Sequence, residues 1–154
     1  MSQTDVITFL QHMLIEKKGG ENERDSFSEY KPDSAAENNE DGSVQMTETR
    51  IYVGLNDAKT KEQKFETEKY KSILKKICQS YHVAFSLDIE EGGYFHDDGE
   101  YTEETSLILV MINADRKTVR DIGKDLCTFF HQESVLITED HITGYFINKE
   151  TLDE

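Results

Sequence analysis

Carboxylates are the groups in this chain whose number and spacing could do chemistry. The stretch Asp88–Glu104, DIEEGGYFHDDGEYTEE, holds eight acids, and no Lys or Arg occurs between Lys76 and Arg116. Acids so placed can ligate calcium, divide into a general acid and a general base, or face a basic partner. A calcium loop fails on spacing, because Gly92 stands at the third ligand position counted from Asp88 and Gly99 where a bidentate Glu is required. An acid–base pair needs a device that separates two carboxyl pKa values, and none is visible in the run. There remains a solvated acidic hairpin, either a soluble loop or a contact surface. Gly92-Gly93 permits a bend and Asp98-Gly99 suits a tight turn. As a contact surface, its candidate residues are Asp88, Glu90, Glu91, Asp97, Asp98, Glu100, Glu103 and Glu104 for charge. Tyr94 and Tyr101 would supply anchoring area.

Other chemistry is not signalled. The chain lacks a GxxxxGK[ST] phosphate loop, a GxSxG elbow and an HExxH pair. His12, His82, His96, His131 and His141 are dispersed, and His131 and His141 fall near the ends of expected elements, where a cap or turn role suffices. Cys78 and Cys127 have no ligand spacing around them and sit near apolar helix positions, as buried free thiols do. The expectation is therefore no catalytic residue, no metal and no cofactor.

The elements that would position the acidic run can be read from periodicity. Ile51, Val53 and Leu55 alternate over Arg50–Leu55, a strand, and Asn56–Lys64 is a polar loop. Tyr70, Ile73, Leu74, Ile77, Cys78 and Tyr81 repeat at helical spacing. His82–Ile89 alternates again, and Thr105–Ile112 follows the acidic excursion as a further strand. Val119, Ile122, Leu126, Phe129 and Phe130 mark a second helix over about Asp115–Gln132, and Ser134–Thr138 and Ile142–Ile147 read as two closing strands. This order predicts an α+β fold, the ferredoxin-like split β-α-β sandwich, with two helices on one face of an antiparallel sheet. Leu107–Ile112 is an unbroken apolar run, so both faces of that strand call for cover, and Tyr52 and Leu136 lie out of phase and can join the second face. An N-terminal helix, a second copy of the chain or another partner could supply that cover.

Composition bounds the rest. With 154 residues, 32 acids and 17 bases, the chain has a formal charge of −15 and room for one ordinary domain. Residues 1–18 read as a short amphipathic helix carrying Val6, Ile7, Leu10, Met13 and Leu14 on one face. Residues 19–48, with nine acids and two bases, read as a disordered acidic linker, and 49–150 as the folded domain. No stretch is apolar enough for a membrane helix, and Asp5 stands where a signal peptide would be basic, so the expected location is the cytoplasm, of a bacterial host cell.

Bases gather on the expected helices and acids on the excursion and linker. Such segregation steers basic partners and repels phosphates, which disfavours direct binding to nucleic acid. The stretches Arg50-Ile-Tyr-Val-Gly-Leu-Asn-Asp57, Gly92-Gly-Tyr-Phe-His-Asp-Asp-Gly99 and Phe130-His-Gln-Glu-Ser-Val-Leu136 resemble small acidic proteins of phages, plasmids and other mobile elements of Firmicutes, over about residues 50–147. Some proteins of that setting are anti-CRISPR inhibitors. The resemblance implies a non-enzymatic inhibitor that mimics nucleic acid and binds a basic nucleic-acid-handling protein, such as a CRISPR effector nuclease. The alternative is a small dimeric ferredoxin-like enzyme or small-molecule-binding domain, in which a homodimer through the sheet face encloses the ligand. That architecture hosts both.

Overall fold

The computed structural model describes residues 39–150. The helix expected at 1–18 and the linker as far as residue 38 lie outside the described residues. Six elements follow in the order β1 (Val44–Gly54), α1 (Thr67–Ser80), β2 (Ser86–Phe95), β3 (Tyr101–Ile112), α2 (Arg116–Phe129) and β4 (Leu136–Gly144). The four strands form one antiparallel sheet in the order β2-β3-β1-β4. With both helices packed on one face, this is the split β-α-β sandwich that the periodicity predicts.

The core lies between helices and sheet. Ile51, Val53 and Leu55 of β1 and Leu107, Leu109 and Met111 of β3 meet Ile73, Leu74 and Ile77 of α1 and Val119, Ile122 and Leu126 of α2. Each fully buried aliphatic side chain contributes about 1.5–3 kcal/mol. Asp115 starts α2 by accepting the Thr118 N–H. Each helix ends with a histidine in the left-handed region, His82 (φ 55) and His131 (φ 53), and the amide two residues past the cap returns to the last turn (Val83 to Cys78, Gln132 to Cys127). This is the helix-terminating motif in which glycine is usual. His131 thus has the cap role expected of it, whereas His141 lies inside β4.

Four element boundaries differ from expectation, and cross-strand pairing accounts for them. β1 begins at Val44 instead of Arg50, inside the stretch read as linker, because Val44–Thr47 pairs with His141–Gly144 of β4. The excursion is the expected hairpin, but its arms belong to the main strands: β2 runs on to Phe95 and β3 starts at Tyr101, so a two-stranded ribbon carries the acids beyond the end of β1. The turn is His96–Glu100, with Gly99 at φ 88. β4 is one strand through Glu139-Asp140-His141, whose charges an edge strand can show to solvent. Tyr145, Phe146 and Ile147 follow it as exposed side chains outside any strand.

Among the described residues, no helix packs on the other sheet face. Cross-strand register sets Asp88, Ile108, Tyr52 and Leu136 in one row across it. Ile108 is buried (1% exposed) although it lies outside the main core, while Leu136 and Ile112 are open. The apolar run of β3 thus faces both ways, and Tyr52 and Leu136 join the second face.

Candidate functional site

The site is built where β1 stops and the β2–β3 ribbon continues. Gly54 pairs with Ser106, and the outer-facing side chain of Glu104, one row further out, folds back over the Gly54 backbone. A Cβ at position 54 would stand 2.6 Å from the Glu104 carboxylate, so that seat exists only because residue 54 is glycine. The Asn56 backbone N–H donates to Glu104 Oε2 at 3.1 Å, and the Asn56 side-chain amide donates to the Glu103 carbonyl. Gln132, just past α2, donates to the Asn56 carbonyl and ties the same corner to the helix layer.

Around Glu104 the outer face is acidic and aromatic. Glu90 is opposite Ser106, which makes it a diagonal neighbour of Glu104, roughly 7–8 Å away along the ladder. Asp88 comes one row further in beside Ile108, and Tyr52 lies next to Ile108 on β1. Towards the tip, Tyr94 stacks edge-on against His96, whose ring bonds the Thr102 hydroxyl at 2.7 Å. Among the described residues no basic side chain forms an ion pair with Asp88, Glu90 or Glu104.

The ten residues expected to form one contact surface are divided by the two-residue period of the strands. Asp88, Glu90, Tyr94 and Glu104 face outward from the sheet, and Glu91, Tyr101 and Glu103 face the helix side. Asp97, Asp98 and Glu100 occupy the turn. Tyr101 packs its ring over Gly93 and against Phe95, so its role is to cover a bare stretch of ribbon. Gly54, Asn56 and Tyr52 are the participants that the acidic pattern does not reveal. The signals for them are Tyr52's place out of phase with the buried positions of its strand and the glycine that closes the strand-favouring run Ile51-Tyr52-Val53.

A second polar cluster lies on the following loop. The Asp57 carboxylate, nearly buried, accepts the N–H groups of Lys59 (2.8 Å) and Thr60 (3.1 Å) and pairs with Lys64 Nζ at 3.2 Å. Burial pushes its pKa up, but the two amides and the Lys64 ammonium overcome this and hold it at about 2. His131 Nδ1 lies 3.9 Å away. This arrangement organises the Asn56–Lys64 loop beneath the Glu104 seat.

On β1, Arg50 reaches Glu48 at 3.5 Å, and the neighbouring Tyr52 and Glu48 raise its pKa. Its Nε is buried with no partner among the described residues. Cys78 and Cys127 are free, as expected, and burial pushes the Cys78 thiol up to about 12. No group of three potential metal ligands occurs among the described residues.

No family model matches the chain, and no curated relative does. Two solved structures resemble it in fold. A phage SAM lyase in complex with S-methyl-5'-thioadenosine shares 21% identity at a TM-score of 0.49, over 66% of this chain and 90% of that one. A phage SAM lyase in the apo state shares 22% at 0.48, over 70% and 92%. Both are structures of an enzyme, and neither is an anti-CRISPR protein. The expectation of a non-enzymatic, nucleic-acid-mimicking inhibitor of a CRISPR effector nuclease is corrected on that finding.

Proposed function

We propose that the chain is a small enzyme acting on a compact organic cation, which binds the outer sheet face against Glu104. The observation that carries this reading is the Glu104 seat itself: a carboxylate fixed by a backbone amide over a glycine, with no basic side chain among the described residues paired to it. A charged group held in this way, with Glu90 beside it, favours a positive ligand. Tyr52 and Tyr94 stand on the same face of the sheet, and an onium group gains about 0.5–2 kcal/mol over an aromatic ring. A carboxylate in this position can hold the cation or take a proton from carbon next to it. The ribbon's acids act in the same sense by repelling anions from the approach.

The apolar part of the outer face supports closure of the site by a second copy of the chain. Leu136 and Ile112 are exposed on this face, and Tyr145, Phe146 and Ile147 are exposed next to the β4 end. No helix of the described residues is long and apolar enough to cross a membrane. The free thiols fit a reducing compartment such as the bacterial cytoplasm.

The test is calorimetric binding of three probes by the full chain: S-adenosylmethionine, a sulfonium; S-methyl-5'-thioadenosine, its uncharged thioether relative; and choline. Each cationic probe is then incubated with the protein and followed by mass spectrometry. The expected result is selective binding and turnover of a cationic probe, reduced at least tenfold in Glu104→Gln. Equal affinity of charged and uncharged probes, or a Glu104→Gln variant indistinguishable from wild type, would refute the reading.

A further inference from the structure

The two helices carry eight of the chain's 17 bases and three of its 32 acids. Those three acids are committed or turned inward. Glu68 pairs with Lys71 at 3.0 Å, Asp125 is nearly buried and accepts the Tyr81 hydroxyl at 2.7 Å, and Asp121 is half-buried. On the sheet side, Glu139 of β4 gives both oxygens to Arg116, at 3.0 and 2.8 Å, and feels Arg120 only at a distance. Lys117, Arg120 and Lys124 remain, exposed at i, i+3 and i+7 along one stripe of α2, and Lys75 and Lys76 are exposed on α1. No ion pair among the described residues engages any of these five. The helices are antiparallel, with Tyr70 at the start of α1 stacked on Phe130 just past α2, so Lys75 and Lys76 lie beside the first half of α2. The patch is thus displaced towards the pole of the domain opposite the acidic ribbon.

The chain enters the described fold at that same pole. Thr47 and Asn113 bond each other twice, at 2.9 and 2.8 Å, which holds the start of β1 beside the residue three before α2. The Asn39 N–H bonds the Ser43 carbonyl, so Asn39 stands roughly 15–20 Å from Asn113. Residues 21–37, just before it, hold six acids and two bases. We propose that residues 21–37 dock in cis across the helical layer, with their carboxylates on Lys75, Lys76, Lys117, Arg120 and Lys124. Seventeen residues can extend up to about 55 Å, and a 14-residue helix is about 21 Å long, so the segment spans the patch. Its tether gives it an effective concentration on the order of millimolar. A free polyanion has no such advantage and meets a chain of net charge −15. The helical layer is the face opposite Glu104, so a docked segment leaves the outer face open. The proposal therefore stands or falls independently of the cation reading.

The test is zero-length carbodiimide coupling on the full chain, in an equal mixture of unlabelled and heavy-nitrogen-labelled protein, with the coupled peptides read by mass spectrometry. The Glu68 to Lys71 pair is the internal control. Carboxylates of residues 21–37 are expected to couple to Lys75, Lys76, Lys117 and Lys124 within chains of one isotope. Coupling to Lys59, Lys61 and Lys149, exposed lysines off the helices, should be at least fivefold lower. Sodium chloride at about 1 M, where the screening length is about 3 Å, should lower the helix yield at least fivefold. Lys117→Gln combined with Arg120→Gln should do the same at Lys75 and Lys76 while the control pair still couples. Equal coupling to all exposed lysines, or none while the control reacts, overturns the proposal. So does coupling found only between chains of different isotope, which would make the helical layer a contact with a second copy.

Discussion

Replacing Gly54 by Ala separates the fold from the site. The new methyl would stand 2.6 Å from the Glu104 carboxyl atoms, but these are the far end of a flexible side chain, and nothing on the backbone obstructs it. Glu104 therefore swings away and the strand stays. The cost is the Asn56 N–H to carboxylate hydrogen bond, about 1.5–3 kcal/mol for a charged acceptor, partly recovered because that amide can turn to water. Against it, Ala in extended backbone lowers the entropy of the unfolded chain by about 0.4–1 kcal/mol. The net change in stability is about 1 kcal/mol or less, a shift in Tm of no more than about 8 °C. Cation binding should fall by about 10–100-fold, since the carboxylate must be reordered as the ligand arrives. Scanning calorimetry and titration calorimetry on the same preparation read the two quantities. A Gly54→Ala protein that binds within twofold of wild type would show that the seat does not prepare Glu104. A protein that no longer folds would show that the glycine serves the strand instead.

Three further outcomes follow from individual contacts. Asp57 has a folded pKa of about 2 against an ordinary 3.8, so its contribution is fully present above about pH 4 and disappears as the pH falls through 2. Screening at the half-exposed Lys64 leaves about 1–2 kcal/mol. Urea unfolding at pH 5 and pH 2.5 should show that loss in wild type and not in Asp57→Asn, and parallel losses would contradict the assignment. Asp115→Ala removes the carboxylate that accepts the Thr118 N–H and should cost about 1 kcal/mol, read as a lower urea midpoint at unchanged slope. A thiol reagent at pH 8 should label Cys127, which is half-buried, well before Cys78, whose buried thiol reacts only as the domain opens; equal rates in folded protein would refute the burial.

The parts of the fold that were legible in the sequence are those whose burial is one-sided. Ile73, Leu74 and Ile77 fix the face of α1, and Ile122 and Leu126 that of α2, because a helix on a sheet buries one stripe. β3 was legible from its unbroken apolar run for the opposite reason, since both its faces are used. The four misplaced boundaries share one cause: pairing, not burial, holds those segments. Val44–Thr47 and the Glu91–Phe95 ribbon contribute few core side chains, so their hydrogen bonds to β4 and β3 leave no apolar alternation to read. Thr and aromatic residues at those positions suit strands, but the surrounding acids conceal it.

The same physics explains why the acidic run suggested the wrong function. Eight acids in seventeen residues read as one surface only if the two faces of the hairpin are not told apart. In a ribbon, alternate residues go to opposite faces, and the turn removes three more acids to the tip. What is left on the outer face is Asp88, Glu90 and Glu104, too small a row to imitate the charge spacing of a nucleic acid backbone but enough to surround one positive centre. The residue that completes the seat contributes through what it lacks: Gly54 has no side chain to exclude the Glu104 carboxylate. An absent Cβ leaves no signature in composition. It becomes visible only once the register of β1 against β3 brings Gly54 beside the strand that carries Glu104.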